Sequence, residues 1–287
     1  VTDSTAGTRL VAGNGLAARA HELLRAGPLT SDELARRVLA LSGQPAVAAR
    51  MVRTLLGDDP RFLVSPEGVW RLAAEPPEPA GRLRDQEWAV VDVETTGGAA
   101  RRGHRVTEIA VVIVAGGEIR DRYATLVNPE RPIPAPISRV TGISSAMVAT
   151  APRFDEVAEE VAGRLRGRIF VAHNAGFDWG FLHEEVRRAT GLMPSGRTLC
   201  TVRIARRLLP HLPSRALGAL AEHYGLHMQT RHRALDDADA TARLLLIFLE
   251  LLEEQMIADW AGLAAYLRRR PRRRRRRTAM PRSMERI

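Results

Sequence analysis

The stretch Val90-Val91-Asp92-Val93-Glu94-Thr95-Thr96-Gly97 decides how the rest of the chain is read. Two acids stand two positions apart among valines. The side-chain period of a β-strand is two, so both carboxylates leave the same face of one strand. Burying two carboxylates side by side is costly unless positive charge stands between them, and a hard divalent cation is a common partner. An exposed strand face would also carry acids, but Val90, Val91 and Val93 do not suit such an edge.

Outward from this strand, residues 106–114 and 118–127 are β-rich and joined by Gly-containing turns, which predicts an antiparallel meander with residues 88–94. Helical periodicity marks residues 154–165, 177–188, 198–209, 215–224 and 234–253, and residues 169–172 read as a buried strand. The result is an α/β layered arrangement. Two further acidic elements can meet the first. Val171-Ala172-His173-Asn174-Ala175-Gly176-Phe177-Asp178 runs from a strand through a small-residue turn into a helix, leaving Asp178 near the strand's carboxyl end, where ligands of α/β sheets gather. In the stretch from His232 to Ala242 a histidine just outside a helix precedes Asp236, Asp237 and Asp239, any of which could instead complement the helix dipole.

Upstream, Glu75-Pro76-Pro77-Glu78-Pro79-Ala80-Gly81 holds three prolines in seven residues and marks a linker. The expected organisation is a small module over 1–74, a linker over 75–87, the α/β unit over 88–254, and a C-terminal helix and tail over 255–287. In the module, residues 16–25 read as a helix. Thr30 and Glu33 form a capping box opening a second, and Val47, Met51 and Leu55 line a third. Phe62-Leu63-Val64 and Val69-Trp70-Arg71-Leu72 flank a turn as a hairpin. Three helices and a hairpin are similar to a winged helix-turn-helix, which binds DNA or docks proteins; its third helix offers Arg50 and Arg53.

The formal net charge is +10, carried by 43 basic residues that are all arginine. Nine lie between Arg268 and Arg277, so the body is nearly neutral and the basic character belongs to a tail that self-repulsion disfavours from folding. Such a run attracts phosphates or acidic partners, although an arginine-rich compositional drift would leave the same trace. One cysteine, Cys200, excludes an internal disulfide. The apolar run of residues 244–249 is far short of the ~20 needed to cross a bilayer. The expected setting is the cytoplasm, with no membrane.

Taken in order, Asp92-x-Glu94-Thr95-Thr96-Gly97, Thr141-Gly142-Ile143, His173-Asn174-x-x-Phe177-Asp178 and His232-x-Ala234-Leu235-x-Asp237-Ala238 resemble the blocks of the DnaQ-like 3′-to-5′ exonucleases of the DEDDh class, the superfamily of the proofreading epsilon subunit of bacterial DNA polymerase III. The likeness spans residues 88–250. It implies an RNase H-like fold, a mixed sheet flanked by helices. It also implies that Asp92, Glu94, Asp178 and Asp237 hold two Mg²⁺ ions, for which Mn²⁺ can substitute. Asp92 would bridge both, Glu94 and Asp237 complete one, and Asp178 support the other. His232 would be the general base. The His-x4-Asp spacing selects Asp237, leaving Asp236 and Asp239 as helix-face acids. The sister class carries a tyrosine where this chain has Arg233. Thr95, Thr141 and Asn174 match positions near the nucleotide, and His173 is a supporting donor or a structural residue.

The implied activity is removal of nucleoside 5′-monophosphates from a 3′ end, with DNA placed ahead of RNA. A trimming enzyme for RNA or oligoribonucleotides, a proofreading subunit held by a DNA polymerase or sliding clamp, and a non-catalytic nucleic-acid-binding scaffold are the rivals. Gln255-Met256-Ile257-Ala258-Asp259-Trp260 reads either as a clamp-contact peptide or as amphipathic helix surface.

Overall fold

The computed structural model describes residues 7–12, 15–41, 45–57, 61–72, 79–228 and 232–268. Residues 75–78 of the proline-rich linker and the arginine tail beyond residue 268 lie outside the described residues.

The chain opens with β1 (Arg9–Ala12), followed by α1 (Gly15–Arg25), β2 (Leu29–Thr30), α2 (Ser31–Leu39), α3 (Pro45–Leu56), β3 (Phe62–Val64) and β4 (Val69–Leu72). The capping box opens α2: the Glu33 N–H donates to Thr30 Oγ1 at 3.2 Å and the Thr30 N–H to Glu33 Oε2 at 2.7 Å. Strands β2, β4 and β3 form a small antiparallel sheet against the three helices. Its core centres on Trp70, whose indole N–H donates to Ser31 Oγ at 2.9 Å. The inner stripe of α3 is Ala48, Val52 and Leu56, while Val47 and Met51 face solvent. The apolar stripe expected from sequence therefore lies one residue off the buried face.

The second unit comprises β5 (Trp88–Thr95), β6 (Val106–Ala115), β7 (Glu118–Leu126), α4 (Ala135–Thr141), α5 (Ser145–Val148), α6 (Phe154–Leu165), β8 (Ile169–Ala172), α7 (Gly176–Thr190), β9 (Leu192–Ser195), β10 (Thr198–Cys200), α8 (Thr201–Leu208), α9 (Leu217–His223), α10 (Ala234–Glu254) and α11 (Trp260–Arg268). Five strands form one mixed sheet in the order β10-β8-β5-β6-β7, parallel from β10 to β5 and antiparallel from β5 to β7. Residues 198–200, expected to begin a helix, pair instead with β8 as an edge strand.

Alternation sorts the sheet into two cores. Trp88, Val90, Ala110, Val112 and Val171 face α8, α9 and α10, whereas Ala89, Val91, Val93, Ile109 and Val111 face α6 and α7. Helices on both faces explain why β6 is apolar along nearly its whole length. Two connections cross the expected domain borders. β1 pairs antiparallel with β9, so residues 9–12 belong to the surface of the α/β unit rather than to the first module. Leu83 N–H donates to the Ala258 carbonyl at 2.7 Å, and Trp260, buried, lies 6.5 Å from Trp88 between ring centroids. The aromatic end of the suspected clamp peptide is thus built into the core. Among the described residues no helix is long and apolar enough to cross a membrane.

Candidate active site

The alternation along β5 sets the site. Trp88 and Val90 face α10, so Asp92 and Glu94 continue the same face beyond the apolar core, toward the first turn of α10. That turn supplies Asp237, and His232 stands just before it. Ligand atoms of Glu94, His232 and Asp237 all lie within 4.8 Å of one another. Asp178 arrives from the opposite layer, in the first turn of α7. It is 3% exposed and accepts the Val93 backbone N–H on Oδ1 at 3.2 Å. The backbone N–H of Val93, the residue between the two acids of β5, therefore ties the α7 carboxylate to the strand.

The electrostatics are those of acids crowded together. Burial pushes the Asp92 carboxyl well above the usual carboxylate range, and repulsion from Asp178, Asp237, Glu94 and Glu108 adds to it. Glu94 is raised to about 8, first by burial and then by Asp237, Glu108 and Asp178, with Arg233 opposing. Asp178 is raised to about 7 by burial, partly offset by backbone hydrogen bonds. Carboxylates held this close in a partly buried site are stabilised as a group by a divalent cation, and an oxygen-rich donor set suits Mg²⁺ or Mn²⁺.

The remaining sequence-selected residues sort by their contacts. Asp239 is ion-paired to Arg122 at 2.6 Å and to Arg243 at 2.7 Å, so it serves the helix surface. Thr95 Oγ1 donates to the Gly97 carbonyl at 2.7 Å and shapes the turn leaving β5. Thr141 is buried and closes the turn between α4 and α5 by accepting the Ile143 N–H at 3.1 Å. Asn174 is exposed, with a left-handed φ of 77°, at the entry to α7. His173 ties three segments together: its Nδ1 pairs with Thr201 Oγ1 and its Nε2 with the Arg215 carbonyl, both at 2.9 Å. Burial lowers its pKa, consistent with a structural imidazole.

Sequence reasoning missed Glu108. It is 3% exposed on β6, directly opposite Glu94 in the β5–β6 register. Arg233 grips it, with Nε at 3.2 and 3.1 Å from the two oxygens and Nη2 at 2.7 Å from Oε1, and the Ala234 N–H donates to Oε2 at 2.9 Å. The available signal was the one charged residue in the apolar run of β6. Glu185, buried on α7, is a second matched acid: it accepts from Arg105 Nε at 2.8 Å and the Val106 N–H at 3.0 Å.

A mixed sheet with carboxylates at the end of its central strand, met by acids from helices on both faces, defines a nuclease of the RNase H-like superfamily. The exonuclease family RNase_T matches residues 89–245, and the chain belongs to that family, within the DnaQ-like exonucleases. Members of the family generally use divalent metal ions. A protein of Mycobacterium tuberculosis (strain CDC 1551) described as a bifunctional exonuclease/endonuclease is 42% identical over 202 residues, 68% of this chain and 31% of that protein. The 3′-5′ exonuclease DinG of Bacillus subtilis (strain 168) is 40% identical over 172 residues, 60% of this chain and 18% of that protein. Both relatives are thus far longer than the part this chain matches. Exonuclease I of E. coli, solved in complex with a dT13 oligonucleotide, superposes with a TM-score of 0.52 at 14% identity, covering 60% of this chain and 42% of that one, a likeness of fold.

Proposed function

We propose that this chain is a metal-dependent 3′-5′ exonuclease that removes nucleoside 5′-monophosphates from the 3′ end of DNA. The observation that carries the reading is the convergence of Asp92, Glu94, Asp178 and Asp237, each raising or raised by another's charge, with His232 at their rim. Asp92, central to the group, would be shared by two cation sites, with Glu94 and Asp237 on one side and Asp178 on the other. Two divalent cations, when bound, neutralise the phosphodiester, lower the pKa of coordinated water and stabilise the leaving oxygen. His232 is exposed beside Glu94 and Asp237, where an imidazole can accept the proton of an attacking water. The Val93 N–H holds Asp178 at its post, so that acid enters catalysis already oriented. Thr95, Thr141 and Asn174 would contact the terminal nucleotide.

Polarity and the sugar are the finer part of the proposal. The relative named as a 3′-5′ exonuclease supports the polarity, and relatives named DNA polymerase III PolC-type support DNA and an association with a polymerase. The winged-helix-like unit, with Arg50 and Arg53 exposed on α3, and the arginine tail would add affinity for nucleic acid. The test uses matched DNA and RNA oligonucleotides labelled at the 5′ end, incubated with Mg²⁺ or with a chelator. The expected result is a ladder of DNA shortening from the 3′ end and mononucleotide release that the chelator abolishes. Shortening from the 5′ end, or faster loss of RNA, would replace the polarity or the substrate class.

A further inference from the structure

Glu94 and Glu108 face each other across β5 and β6, so the active-site acid has a buried carboxylate for a neighbour. Directly opposed like charges repel, yet both carboxylate oxygens of Glu108 are hydrogen-bonded within the chain. Oε1 receives Arg233 Nε and Nη2, and Oε2 receives Arg233 Nε and the Ala234 N–H. Its lone pairs are committed to the chain, which leaves Glu108 unsuited to ligate a cation.

The place it grips matters more than the pair itself. Arg233 is the residue after His232 and the N-cap of α10, and Ala234 is the first residue of that helix. His232 has a left-handed φ of 61°, a conformation that a non-glycine residue keeps only where neighbouring structure holds it. Asp237 follows one turn on, its N–H donating to the Arg233 carbonyl at 3.1 Å. Arg233 has no side-chain cap hydrogen bond of its own, so the carboxylate from β6 takes the role a capping side chain would play.

We propose that Glu108 and Arg233 are a positioning pair that fixes the start of α10 against β6, and so sets His232 and Asp237 against Glu94. This rests on the active-site reading above. The pair touches neither substrate nor reacting atoms; it acts through the two residues it places. Arginine is required because a planar fork spans both oxygens, which an ammonium cannot reproduce.

The experiment compares the full chain with Glu108→Gln, Arg233→Lys, the double variant and Asp92→Asn. It measures thermal stability, single-turnover hydrolysis of a DNA oligonucleotide, KM for that oligonucleotide, and Mn²⁺ binding by calorimetry. Outer-shell changes of this kind typically cost roughly 10- to 100-fold in activity or metal affinity. Glu108→Gln is expected to lose about that much in both rate and Mn²⁺ affinity at unchanged KM, Arg233→Lys to retain only part of the wild-type rate and affinity, and the double variant to be no worse than Glu108→Gln. A folded Glu108→Gln with wild-type rate or wild-type Mn²⁺ affinity would overturn the pair. If Glu108→Gln does not fold, Arg233→Gln, altered at a side chain 39% exposed, decides by the same readouts. An active Asp92→Asn would instead bring down the active-site reading; an inactive one beside an unaffected Glu108→Gln brings down the positioning pair alone.

Discussion

Glu94 and Glu108 occupy matched positions on adjacent strands and point to the same layer, but their surroundings are opposite. Glu108 is deeply buried and saturated by a guanidinium fork and a backbone N–H. Glu94 is half-buried and surrounded chiefly by Asp237, Glu108 and Asp178, with Arg233 at its edge. The same contrast separates Glu185, matched by Arg105, from Asp178, which lies about two helix turns earlier on α7 and is held by backbone donors, the Val93 N–H among them. Burial alone therefore does not mark a functional acid. What marks it is whether the chain supplies the compensating charge: where it does, the acid is scaffold, and where it leaves acids to face one another, it leaves room for a cation.

The largest effect that would break this contrast is at Asp92. Asp92→Asn removes the acid shared by both proposed cation sites and is expected to lower hydrolysis by roughly 10³-fold or more, since cations contribute several kcal/mol to charge stabilisation. Because it also removes repulsion, the metal-free variant should melt at or above the wild-type temperature. A folded, active variant would mean that the unmatched acids are not the reacting ones. His232→Ala comes next, with a single-turnover rate lower by roughly 10² to 10⁴-fold and nearly unchanged oligonucleotide affinity. An unchanged rate would remove His232 from proton transfer.

A smaller effect concerns pH. Glu94 and Asp178 have folded-state pKa values of about 8 and about 7. An unfolded carboxyl titrates near 4, as a rough reference. Between these values the folded protein retains protons that the unfolded chain has released, so stability falls as pH rises, and the loss is complete only above the folded values. Without metal, the melting temperature is expected to decline from about pH 5 to about pH 8.5, and saturating Mg²⁺ to flatten the decline. Identical profiles with and without Mg²⁺ would contradict it. The smallest effect is at Asp239, whose ion pairs lie at the surface: Asp239→Asn should cost under about 1 kcal/mol and leave the rate alone, whereas Asp237→Asn should lose most activity. The reverse ranking would exchange the two residues' roles.

The fold was legible where one physical signal dominated. Alternation in β5 to β7 and the 3.6-residue period of α6, α7 and α10 give those elements nearly to their ends. It was illegible where partners lie far apart in the chain. β1 and β9 are four residues each and carry no alternation that distinguishes them; they exist because they pair with each other. Thr198–Cys200 is too short to show a period of two against the helix that follows. On α3, Val47 and Met51 mimic a core stripe, but Ala48, Val52 and Leu56 are the residues that face α1 and α2. The acids proposed for the site stand out in the sequence because their spacing is local. Glu108 was not, since its meaning depends on Arg233, 125 positions away.

The central claim is that Asp92, Glu94, Asp178 and Asp237 hold divalent cations. Calorimetric titration of Mn²⁺ into chelator-treated protein tests it most directly. The account predicts saturable binding of about two ions per chain in the wild type, its loss in Asp92→Asn, and its persistence in Asp239→Asn. Binding of equal affinity and stoichiometry in wild type and Asp92→Asn would contradict it.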